Sequence, residues 1–220
     1  MAETATAIAG AVVRPRLRGW LHLASAPVAL TVGIAVLLRA ESAAGRLSGA
    51  AFGGAAVLLF TVSGVYNLRA WVGRSGVWLR RCDHASIYVL IAGSYTGFGV
   101  VLLDGTARVV LLVAAWGGAG LGVALRLAFP DAPRWARTAS YLALGWVAVL
   151  FGPQLTAAAG LTVALLLAAG GVLYTIGAVV YARRAPDPWP AWFGFHEVFH
   201  SFTVVAFAAH CTGLLLIPVR

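Results

Sequence analysis

Apolar runs of roughly 20 residues recur along this chain, each closed off by arginine, proline or glycine, and a helix needs about that length to cross a bilayer. Seven such runs are visible, at about 20–38, 47–70, 84–103, 107–128, 134–152, 155–181 and 191–217. The expectation is an all-α fold, a seven-transmembrane helix bundle. Composition agrees, with 61% hydrophobic and 10% charged residues, where a soluble domain carries about 25% charge. Seven spans in 220 residues leave only short loops. A short N-terminal segment, 1–18, would therefore lead into a single membrane domain, 19–220, with lipid as its surroundings and no second soluble domain.

The formal net charge is +9, and all 16 basic residues are arginine. No arginine stripe interleaved with aromatics is present, so nucleic acid is not the expected partner. The charges read instead as orientation signals. Twelve arginines fall before span 1 and in the 2–3, 4–5 and 6–7 connections; only Arg39, Arg46, Arg108 and Arg220 fall on the other side. The excess predicts a cytoplasmic N-terminus and a C-terminus outside. Trp20, Trp71, Trp78, Trp135, Trp189 and Trp192 would sit at the cytoplasmic interface as anchors. Residues 5–13 are mildly apolar, but Glu3 precedes them and arginines follow, the reverse of a signal peptide's charge order.

This orientation gathers the polar residues. Ser63, Tyr66 and Asn67 end span 2, Asp83 and His84 open span 3, and His196, Glu197 and His200 lie early in span 7. All are then on the cytoplasmic side. His196 and His200 are four apart, so they share a helix face and can hold one metal ion or hydrogen bond to neighbouring helices. Asp83 reads as a site residue or a helix cap. Ser63 can face the site or bond back to its own helix. His22 reads as an interfacial histidine and His84 as facing the interface. His210 lies about 15 Å beyond His200 along span 7, outside that cluster.

Other motifs carry less. His196-Glu197-Val198-Phe199-His200 matches the zinc-protease pattern H-E-x-x-H, and Asp104-Gly105 could suggest its distant ligand. Asp104 ends span 3, however, about 30 Å from Asp83 and on the opposite face. Cys82 and Cys211 fall at different depths and are expected to be free thiols. Gly93/Gly97 and Gly118/Gly122 have the spacing of close helix packing. Apart from His210 and scattered serines and threonines, no polar stripe crosses the outer half, which speaks against a pore.

Several segments together resemble a known family: Arg18-Gly19-Trp20-Leu21-His22, Ser63-Gly64-Val65-Tyr66-Asn67, Cys82-Asp83-His84-Ala85-Ser86-Ile87-Tyr88, Gly93-Ser94-Tyr95-Thr96, Tyr174-Thr175-Ile176-Gly177 and Phe195-His196-Glu197-Val198-Phe199-His200. They resemble the hemolysin III proteins, the bacterial branch of the progestin and adipoQ receptor superfamily. The resemblance implies the bacterial inner membrane and a zinc ion near the cytoplasmic face. It implies His196 and His200 as ligands, Asp83 as ligand or holder of the reacting water, and Ser63 beside them. Related membrane enzymes hydrolyse amide bonds of ceramide-like lipids. Asn67 occupies the place of the family's span 2 histidine, and an amide oxygen is a poor zinc ligand beside imidazole. A weakened zinc site is therefore expected. Two function classes stay open, a zinc-dependent lipid-amide hydrolase and a non-enzymatic sensor, homeostasis or channel-like protein.

Overall fold

A computed structural model describes residues 14–218. The 5–13 segment and Arg220 lie outside the described residues, as does most of the proposed N-terminal segment 1–18. The described chain is helical and contains no sheet; an isolated bridge joins Trp189 to Phe193. The helices are α1 Trp20–Arg39, α2 Ala43–Leu68, α3 Gly73–Leu102, α4 Gly105–Ala128, α5 Arg134–Gly145, α6 Gly152–Arg183 and α7 Phe195–Leu216, with a 3-10 turn at Trp146–Phe151.

Among the described residues, six helical stretches are long and apolar enough to cross a membrane; one is the 50-residue run Arg134–Arg183, from α5 through α6. That run does not continue straight. Gly160 has φ 80 and ψ 167, a conformation glycine adopts at little cost. Trp146 Nε1 donates to Thr175 Oγ1 at 3.1 Å, although a straight helix would set these residues roughly 43 Å apart. The chain thus doubles back at Gly160. The sequence placed this break near 153–154. Pro153 instead starts α6, where its missing N–H costs nothing.

One further boundary moves. Span 3 was expected from residue 84, but α3 begins at Gly73. No proline interrupts its first turns, so an arginine-rich stretch with Arg74, Arg80 and Arg81 precedes the apolar part.

Outward faces stay apolar, with Val28, Leu30, Leu38, Val113 and Leu121 exposed. Lipid, not water, suits such a surface. Inside, Phe52, Phe60, Phe98 and Phe207 pack edge-to-face and stacked between α2, α3 and α7. Helices approach closely where side chains are smallest. A Cβ on Gly53 would come within 2.6 Å of Gly33 Cα. Gly93, Gly97, Gly118 and Gly122 likewise abut neighbouring helices, at Ala55, Phe52, Leu144 and Tyr88. Because α1, α3 and α7 begin at the end where α2 stops, their polar termini meet there.

Candidate functional site

The polar cluster starts from one stripe of α1. His22, Ser25, Ala29, Gly33 and Val36 are buried at helical spacing, so the face carrying His22 turns inward. His22 is 2% exposed. Its ring stacks on His200, with centroids 3.5 Å apart and planes 7° from parallel. Phe60 meets its edge at 5.1 Å. The His196 ring is 4.3 Å from His200, as their four-residue spacing on α7 requires. Among the described residues, four buried ring nitrogens of this cluster have no hydrogen-bond partner: both of His22, Nε2 of His196 and Nδ1 of His200. A buried unpaired polar group costs about 1–3 kcal/mol, so such a concentration points to a ligand.

The segment before α1 supplies a cation. Arg16 N donates to Ala191 O at 3.0 Å and Leu17 N to Trp192 O at 3.1 Å. These bonds tie the segment to the loop before α7. Gly19 follows with φ 86, and a Cβ there would lie 2.7 Å from Gly64 O. Only glycine lets the chain turn this close to α2. Arg18 is thereby aimed into the cluster. Its Nη2 lies 3.2 Å from His196 Nδ1 and its Nε donates to Asn67 Oδ1 at 3.4 Å. Arg14 Nη2 donates to the Asn67 backbone carbonyl. Asn67 Nδ2 donates to Ser63 O at 3.0 Å and to Ser63 Oγ at 3.4 Å. Ser63 in turn sits beside the Asp83 carboxyl group.

Ser63, Asn67, Asp83, His196 and His200 are all buried and border one cavity. The sequence thus placed them together. It missed His22, read as interfacial, and Arg18, counted as an orientation charge and quoted within a family segment but given no place in the site. The signal for His22 was the small-residue stripe running from it along α1.

The remaining polar residues have other partners. His84 lines the same cavity, with Nδ1 3.4 Å from Arg126 Nη2, and does not join the histidine stack. Glu197 Oε2 accepts from Gly194 N at 2.9 Å, so this glutamate caps the start of α7. Asp104 is exposed and pairs with Arg108 at 2.6 Å. It has no part in the cluster, so the H-E-x-x-H match lacks a protease's third ligand. Cys82 and Cys211 are free.

The cavity they border measures about 1270 Å³. Its polar end holds the histidines, Arg14, Arg18 and Arg134; its walls run past Leu59, Ile87, Leu90, Leu155 and Leu167 to His210. A polar head with a long apolar extension suits an amphiphile with an acyl chain.

Comparisons with known proteins give the chain a family. A family model described as "Haemolysin-III related" matches residues 11–211. The chain belongs to the haemolysin-III-related family. It is 32% identical to the "Hemolysin-3 homolog" of Bacillus subtilis (strain 168) over 193 residues, 82% of this chain and 88% of the relative. It is 33% identical over 123 residues to "Hemolysin-3" of Bacillus cereus, 56% of this chain and 53% of that one. A 51-residue stretch is 43% identical to the "ADIPOR-like receptor IZH2" of Saccharomyces cerevisiae, 21% of this chain and 16% of the receptor. This haemolysin-III-related chain thus falls within the progestin and adipoQ receptor superfamily, as a multi-pass bacterial membrane protein.

Zinc, which that resemblance implies, matches the residues in kind. Three imidazoles and a carboxyl group share the polar end, and nitrogen with oxygen is zinc's preferred donor set. His22 offers the third imidazole that Asn67 does not. In position the fit is incomplete. Among the described residues no three metal-binding side chains converge on one point. The stacked His22 and His200 rings hold their lone pairs in near-parallel planes, so one ring must turn for both to reach one ion. Arginine only donates hydrogen bonds, so its contact keeps the His196 proton on Nε2.

Proposed function

We propose that this protein is a membrane hydrolase acting on lipid amides at the polar end of its cavity. In this reading the chain crosses the membrane seven times, the Arg134–Arg183 run counting twice across the Gly160 reversal. The N-terminus is cytoplasmic, and the polar end opens toward the cytoplasm. His196, His200 and His22 would hold zinc, His22 in the role of the absent span 2 histidine, with Asp83 beside them to hold the reacting water. The observation that carries the reading is the set of four unpartnered, buried imidazole nitrogens at the head of an apolar cavity.

Bound there, zinc supplies Lewis-acid polarisation of the amide carbonyl. The chain's own residues do the rest. The apolar walls hold the acyl chain and exclude water from its length. Asp83 takes a proton from the attacking water and returns one to the leaving amine. Ser63 holds the Asp83 carboxyl group in place. Arg18, freed from His196, pairs with the carboxylate that forms.

The test is fatty acid release from a long-chain ceramide by the purified protein in lipid vesicles. Release by the wild type and its loss in Asp83→Asn is the expected result. Release that persists without both His196 and His200 overturns the mechanism.

A second reading rests on Arg18. A guanidinium bonded to both Asn67 and His196 is a resident cation where a metal would otherwise sit. The protein would then be a non-enzymatic lipid sensor with a vestigial metal site. Absence of both zinc and hydrolysis in the wild type favours this reading.

A further inference from the structure

Far from the histidine cluster, the cavity wall carries two polar atoms that the proposed chemistry does not use. His210 lies ten residues beyond His200 on α7, roughly 15 Å along the helix. Its Nε2 faces Leu167 O at 3.2 Å. A carbonyl only accepts, so Nε2 carries the proton and Nδ1 presents a lone pair. That Nδ1 is buried and has no partner. Tyr174 of α6 stands against it, with ring centroids 5.6 Å apart and planes at 67°. The Tyr174 hydroxyl is also buried and without a partner. Both side chains line the cavity.

An acceptor and a donor thus lie on side chains that wall one cavity, each unsatisfied. A methylene chain leaves both unpaired. A carbonyl accepts from Tyr174 but offers nothing to His210. A hydroxyl accepts from Tyr174 and donates to His210 Nδ1, satisfying both. We propose that this is a second ligand station, selecting an acyl chain that carries a hydroxyl group about a dozen carbons from its head. An extended hydrocarbon covers the roughly 15 Å from the His200 end in about a dozen carbons. The proposal deepens the reading of the cavity as an acyl-chain site and rests on it. Its selectivity follows from burial, because a site built to bond a hydroxyl rejects the analogue that lacks one.

The experiment is a binding titration of the full chain in detergent with 12-hydroxystearate and with stearate. It is run on the wild type and on Tyr174→Phe, which removes one oxygen and keeps the ring. The wild type should bind the hydroxylated chain about tenfold more tightly. Tyr174→Phe should lose most of that preference while its stearate affinity stays unchanged. Equal wild-type affinities for the two chains overturn the proposal and mean that water fills the gap. A preference that survives Tyr174→Phe overturns it as well. If neither chain binds, the acyl-chain reading of the cavity fails and takes this station with it.

Discussion

The His22 imidazole stacks on that of His200 with centroids 3.5 Å apart, joining α1 to α7 at the polar end of the cavity. Two buried rings in van der Waals contact, with three of their four nitrogens buried and unpaired, form a poor endpoint for a core. Their arrangement has a purpose if a ligand pairs with those nitrogens. It also gives α1 a place in a site that its sequence position did not announce.

Arg18 competes with that ligand. It holds the His196 proton on Nε2 and adds a positive charge beside any bound cation. Arg18→Gln should therefore bind zinc more tightly, by about tenfold, the effect of a single removed charge contact. Competition against a chelating dye measures this. Unchanged affinity would mean that the arginine and the metal do not share the space.

The α1–α2 contact depends on glycine at one position and not at the next. Gly53→Ala drives a methyl group into the Gly33 backbone and should destabilise the protein by about 1–3 kcal/mol. Gly54, with nothing within 4 Å of an added Cβ, should accept alanine without loss. Thermal unfolding of both variants in detergent makes the comparison. Equal losses would show that the close approach is not what glycine supplies.

Orientation can be read by labelling. On a background without Cys82 and Cys211, Asp104→Cys should react with an impermeant thiol reagent only from outside the cell. Arg74→Cys should react only from the cytoplasmic side. The reversed pattern would overturn the charge-based orientation.

Much of this was legible in the sequence because hydropathy and helix spacing are local signals. The apolar runs located α1, α2, α4 and α7 to within a few residues, and placed Asn67, Asp83 and His196 at one end. What was missed depends on contacts between distant segments. Arg18 enters the site because residues 16 and 17 pair with the loop at 191–192, and no local pattern encodes that pairing. His22 looked like an interfacial residue because it stands near the start of the first span; the inward stripe appears only when α1 is read every third or fourth residue. The reversal at Gly160 was misplaced because Pro153 is the louder breaker in sequence but lies in a first helical turn, where proline is tolerated.

The central claim is that the histidines at the head of the cavity hold zinc. Metal analysis of the purified wild type, beside His196→Ala/His200→Ala and His22→Phe, tests it most directly. The account predicts about one zinc per chain in the wild type, almost none in the double variant, and a clear reduction in His22→Phe. A wild type without zinc, or a double variant that retains it, would contradict the account.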